Sequence, residues 1–515
     1  MRSTRREFLG DVGRGMLLAG LGTTLASDLG IARAVAEDAA GTLSFGNLEP
    51  LVALMQDTPP AKLTALLVDK LKAGTDLRTL TAAAALANAR TFGGQDYIGF
   101  HTFMALAPAY RMSQELPEAQ RALPVLKVLY RNANRIQEFG GRKNEVLHEV
   151  EAEAIPADAA GGELLRNATR RGDMNAAERT FAGLAKGPIG EAFNHLQFAV
   201  EDEVDVHRVV LAWRAWDTFE LAGQEYAHCL LRQSVRYCVR SEQGRLERGH
   251  KEPAIRTVLP KLLDQYKLLG RDLGQRKADD AWVEQLARTI FRGNREQAAD
   301  AVAQALAEGF APEAIGESMS LAANMLVLHD PGRPQEQANA DKPAGSCHGD
   351  SVGVHASDSA NAWRNIARVS DPRNTVASLI VGAFHTAGQS DRSSKLPYPL
   401  AEQLAEVKSE DAGALLREAD AAVREKNQFL AAAVIQRYGQ LGHEPRPVFD
   451  MLLRYATSED GALHAEKYYN TVSAEFASTR PAFRWNQLVA LARVTASEYG
   501  RPAPGYDEAK KLLNV

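Results

Sequence analysis

Cysteine is scarce in this 515-residue chain, with only Cys229, Cys238 and Cys347 present. Cys229 and Cys238 stand nine positions apart in a stretch with helical periodicity, about 13 Å along a helix axis and too far to bridge. There is no C-x-x-C, no C-x-x-C-H and no four-cysteine cluster. Iron–sulfur centres and c-type haem are thereby disfavoured, and disulfides are not what stabilises the fold. Runs alternating β-branched and polar residues between Asn-Gly turns are missing too, which argues against a sheet. Walker A loops, G-x-G-x-x-G after a strand, G-x-S-x-G elbows and H-E-x-x-H are absent, so nucleotide binding, α/β-hydrolase chemistry and zincin proteolysis are disfavoured. Nor is there an excess of positive charge. Lys and Arg number 60 against 65 acids, for a net charge of −5 and an isoelectric point near 6.2, which gives no polycation for nucleic acid.

What is present begins with Ser3-Thr4-Arg5-Arg6-Glu7-Phe8-Leu9, the twin-arginine export signature. A mild apolar region, Met16 to Ala26, and a small-x-small cleavage site, Ala34-Val35-Ala36, follow it. The apolar stretch is too short and Gly-rich for a good membrane span, and no later segment resembles one. The expectation is a signal peptide over 1–36, engagement of the twin-arginine translocase, and a mature chain in the periplasm or an equivalent extracytoplasmic space. An amphipathic N-terminal helix is the alternative. Loss of 1–36 would remove five Arg and three acids, taking the charge from −5 to −7. Because this route carries folded proteins, many of its clients load a metal or cofactor beforehand, which shifts weight toward redox chemistry.

From Gly46 onward, apolar residues recur at three- and four-residue spacing in segments rich in Ala, Leu, Arg and Glu, as in Leu63–Leu71 and Leu77–Ala89. The predicted class is all-α. The chain also repeats itself. Ala65–Gly74 and a helix ending Leu86-Ala87-Asn88 parallel Ala299–Gly309 and a helix reaching Ala322-Ala323-Asn324. The expected organisation is four multi-helix units in two similar halves, 45–242 (units 45–140 and 170–242) and 290–500 (units 290–390 and 410–500). A helical connector, 243–289, joins the halves, and a polar insertion runs from Asp330 to Val352. Stacked helical pairs of this kind form either a solenoid or a compact helical-repeat assembly, and the second is expected here.

The repeat carries a pattern. A histidine near a helix start has an acid five positions before it and an aromatic eight to twelve after: Asp96…His101, Asp202…His207…Trp216, Asp350…His355…Trp363 and Glu459…His464…Phe476. Imidazole is the usual ligand of transition metals and needs a second-shell acceptor to fix its tautomer, a part the upstream acids could take. The alternative is that acids and histidines are helix caps and packing residues. Further candidates are the E-x-x-H motifs Glu225…His228 and Glu145…His148, whose spacing on a helix matches that of di-iron carboxylate bundles. A third, Glu247…His250, reads as a surface pair. The densest group is His195, His207 and His228 around the acidic loop Glu201–Asp205, with Trp213 and Trp216 either lining it or packed as core. Cys347-His348 is a more distant candidate for a nucleophile pair.

The stretch His355-Ala356-Ser357-Asp358-Ser359-Ala360-Asn361-Ala362-Trp363 resembles uncharacterised helical proteins, some of them fused to Rieske-type ferredoxin modules. More loosely, it resembles questin-oxidase-like oxygenases. The likeness covers most of residues 45–500 and rests on scattered histidines, and the chain has no Cys/His Rieske box. It implies oxygen-dependent or other redox chemistry and assigns no catalytic residue. Together these readings lead to an exported, metal-dependent oxidoreductase. Its transition metal, non-haem iron for example, would be held among His101, His207, His355, His464, His195, His228, Glu225, Asp202, His148 and Glu145. Its small-molecule substrate and electron donor stay open. The competing expectation is a non-catalytic helical-repeat binding or scaffold protein.

Overall fold

Short polar residues ahead of apolar runs start several of the helices, as capping chemistry favours. Asp76 accepts the Thr79 N–H at 2.7 Å, and Asn294 and Gln297 form a reciprocal capping box. In the computed structural model, residues 41–156 and 158–515 are described, so the export motif lies outside the described residues. Among the described residues are twenty-three α-helices and, in place of strands, three isolated β-bridges. The chain is all-α. No helix among those residues is long and apolar enough to cross a membrane.

Eight helices position the residues discussed below. They are α1 (Leu77–Phe92), α2 (Tyr97–Glu115), α3 (Val206–Ala222), α4 (Ala227–Glu247), α5 (Pro312–Leu328), α6 (Val352–Val369), α7 (His464–Ser478) and α8 (Trp485–Glu498). Helix α4 runs through Glu247, five residues into the expected connector 243–289, and carries Cys229 and Cys238 on one continuous helix.

The chain divides into two compact units. The first comprises residues up to Ala107, Leu129–Asp272 and Asn365–Ser378; the second comprises Pro108–Val128, Leu273–Arg364 and Leu379–Val515. In the first, α1 is buried on every side from Leu80 to Phe92, which is why so much of it is alanine: α3, α4 and the helix Glu49–Asp57 all pack on it. Buried Asn88 of α1 donates to Gly99 O at 2.8 Å, Thr102 Oγ1 at 2.8 Å and Asn132 Oδ1 at 2.7 Å, which fixes the register of α2.

In the second unit, α8 packs on α5, α7 and the helix Gln428–Gln440 over a core that includes Leu452, Tyr468, Leu488 and Leu491. Fully buried Arg493 of α8 donates to Val327 O at 2.7 Å and Gln428 Oε1 at 2.8 Å. Asn324, aligned with Asn88 in the expected repeat, donates to Asn486 O and Gln487 Oε1 of α8 at 3.2 Å each. The same residue type therefore ties a different pair of helices in each unit.

Candidate functional site: two histidine pairs

The first unit brings His101 and His207 together, with ring centroids 4.8 Å apart and planes at 61°. His101 lies in the second turn of α2. Its Nδ1 is 2.7 Å from Tyr97 O one turn back, and a carbonyl only accepts, so Nδ1 carries the proton and Nε2 keeps its lone pair. His207 is the second residue of α3, a helix capped by Asp205, whose carboxylate accepts the N–H groups of His207 and Arg208 at 3.3 and 3.1 Å. The same carboxylate stands 3.5 Å from His207 Nδ1 and accepts the Tyr237 hydroxyl from α4 at 2.5 Å. Burial, and the Asp205 charge beside it, push the Tyr237 phenol well up, so it stays a donor.

Aromatic rings close the pair in. Phe100 lies 5.1 Å from each imidazole, and Tyr97 stands 4.4 Å from His101 and 5.5 Å from His207. Tyr97 is 60% exposed and forms the rim, while His101 is buried. In this arrangement one Nδ1 is tied to a carbonyl and the other faces a carboxylate, the kind of outer-shell support that orients metal-binding imidazoles.

The second unit pairs the other two histidines. His355 Nε2 and His464 Nε2 are 3.2 Å apart, with ring planes at 66°. Two nitrogens at that distance share one proton as donor and acceptor. It is also the chord subtended at a single ion by bonds of about 2.0–2.1 Å opening at about 90–109°, which spans roughly 2.9–3.4 Å. Gly349 is packed so closely on His464 that a Cβ there would collide with the histidine's own Cβ and approach Glu498 Oε1. Glu498 accepts the Gly349 N–H at 2.7 Å, and burial pushes its carboxyl up to about 7. One turn along α6 from His355, Asp358 accepts the Thr471 hydroxyl at 2.8 Å. Among the described residues, no group of three or more His, Cys, Asp or Glu gathers as a metal cage.

The acids five positions upstream go elsewhere. Asp96 takes a bidentate bond from Arg135 at 2.6 and 2.8 Å, Asp202 one from Arg170 at 2.6 and 2.8 Å, and Asp350 binds Arg333 and Lys342. Glu459 accepts Gly500 N and Arg501 N at 2.8 and 2.7 Å. Five residues of separation carry three of the carboxylates to neighbouring cations and the fourth to backbone N–H groups, rather than to the ring. The acid facing a histidine is Asp205, only two positions away.

The E-x-x-H reading is corrected by the local backbone. Glu145 and His148 lie on an extended stretch; Glu145 sits 3.1 Å from the buried Arg90 guanidinium, and the His148 backbone bridges Thr42. Glu225 belongs to the short 3-10 turn Gln224–Tyr226 and His228 to α4, so that motif straddles a break, with His228 stacked on Phe181 at 5.7 Å. His195 is half-buried on the helix Ile189–Val200, and burial lowers its pKa. Trp213 and Trp216 are core residues, Trp216 lying 4.3 Å from Phe193. Cys347 and His348 are not activated: burial pushes the thiol up to about 12 and the imidazole down to about 4.

Tyr97, Phe100 and Tyr237 enclose a site that sequence reasoning built from histidines and acids alone. Tyr97 and Phe100, four and one positions before His101, carry a helical signal; Tyr237, thirty positions past His207 on the next helix, carries none. Compared with known proteins, the chain matches no family model, no curated protein and no solved structure, so a functional reading starts from these side chains.

Proposed function

We propose that this chain is an exported redox metalloprotein, oxidase- or oxygenase-like, in which each histidine pair holds one transition-metal ion such as non-haem iron. The observation that carries the reading is the 3.2 Å separation of His355 Nε2 and His464 Nε2, a bite matched to one ion. The tautomer set at His101 and the carboxylate facing His207 Nδ1 support the same role for the other pair. Two imidazoles leave the remaining positions of a four- to six-coordinate ion to water, oxygen or substrate, the condition for Lewis-acid or redox chemistry. The twin-arginine motif supports loading of the metal before export to the periplasm.

Elemental analysis tests this on untagged chain purified from the exported fraction without chelators. About two transition-metal ions per chain are expected, with loss of about one in His355→Ala while helicity is retained. A folded, metal-free wild-type chain would overturn the proposal and leave a non-catalytic helical scaffold as the working description.

A further inference from the structure

Within the second unit, a cleft of about 530 Å³ opens beside the loop between α5 and α6, a volume suited to a small organic ligand. Its lining includes Arg333, His348, Ser351, Val352, Gly353 and Arg392. His348 is only 2% exposed, yet its Nε2 has no hydrogen-bond partner. Its other nitrogen, Nδ1, lies 3.3 Å from Arg501 Nη2, and a guanidinium only donates. Nδ1 therefore accepts and the proton sits on Nε2, a buried donor at the cleft wall that lacks an acceptor.

Other uncommitted groups at this wall are donors too. Arg333 Nε is buried without a partner, although its Nη2 binds Asp350. Arg392 is exposed at the rim. Val352 and Gly353, the first two residues of the eighteen-residue helix α6, line the same space at the positive end of the helix dipole. Most of the acids are already engaged. Asp350 is held by Arg333 and Lys342, and Asp330 accepts Gly332 N at 2.8 Å and the Cys347 thiol at 3.5 Å, which leaves Asp391 at the exposed edge.

We infer that this cleft binds a small oxyanion, the carboxylate or phosphate group of a small molecule, through His348 Nε2–H, Arg333, Arg392 and the N-terminus of α6. The site is independent of the metal reading, because none of these residues belongs to a histidine pair.

Isothermal titration of the full chain, chelator-treated and then dialysed, tests it with inorganic phosphate and with succinate as probes. Saturable binding of at least one probe at one site per chain is expected, weakened tenfold or more by Arg392→Gln and by His348→Leu. Preference for succinate would point to an organic acid and preference for phosphate to a phosphate ester. Arg392→Gln lies on the rim and leaves the buried loop intact, so its effect is readable even where His348→Leu disturbs folding. Absence of saturable binding to the wild type, or equal affinity in Arg392→Gln, would overturn the inference.

Discussion

At the scale of single residues, burial decides which groups are chemically available. Cys229 and Cys347 are pushed up to about 12 and Cys238 to about 11, each chiefly by burial. A thiol with an ordinary pKa of about 8.5 is roughly one-quarter thiolate at pH 8, whereas these fall to about one part in a thousand or less. Native chain at pH 8 should leave Ellman's reagent essentially unreacted over minutes, and denatured chain should titrate all three thiols. Rapid reaction of one native thiol would reinstate Cys347 as a nucleophile.

His348 yields a pH signature by the same logic. Its folded pKa of about 4 lies below the usual 6.5, so the unfolded chain binds the proton more tightly. Stability is therefore complete above pH 6.5 and falls as pH drops toward 4. Relative to His348→Gln, the wild type should lose up to about 3 kcal/mol between pH 7 and pH 4, and less to the extent that water reaching the ring through the cleft screens it. Urea unfolding of both proteins across that range measures the difference, and parallel curves would contradict it.

At the scale of helices, buried charge fixes which faces meet. Arg364 of α6 and Glu475 of α7 are both almost fully buried and paired, with Asn361 donating to Glu475 at 2.7 Å and Arg364 also reaching Glu313 at 2.5 Å. Truncating one partner strands the other. Glu475→Ala should cost about 3–5 kcal/mol in urea unfolding, and Glu475→Gln less, since its amide oxygen still accepts a bond. An unchanged midpoint in Glu475→Ala would mean that water already solvates the pair.

The helices themselves were legible in the sequence because 3.6-residue periodicity and caps such as Asp76 and Asp205 are local features. Their partners were not. That Asp202 would meet Arg170 and Asp96 would meet Arg135 depends on neighbouring helices thirty or more residues away, and no fixed offset encodes it. Glu145 and His148 failed for the converse reason. Their spacing suits a helix, but the glycine pair Gly140-Gly141, both at positive φ, ends the preceding helix and turns the chain into an extended stretch.

For the whole molecule, the histidine pattern in the sequence and the histidines in space meet at one point. Each compact unit brings two of the four pattern histidines together: His101 with His207, and His355 with His464. The linear halves did not reveal that residues 108–128 belong to the second unit and 365–378 to the first, because unit membership is a property of packing rather than of chain order. If the pairs are metal sites that arose by duplication, they should fill independently. His101→Ala/His207→Ala should then lower bound metal from about two ions per chain to about one, His355→Ala/His464→Ala should do the same, and the fourfold variant should bind none. Loss of all metal from either double variant would mean a single shared centre, and full retention in both would place the metal away from the histidines.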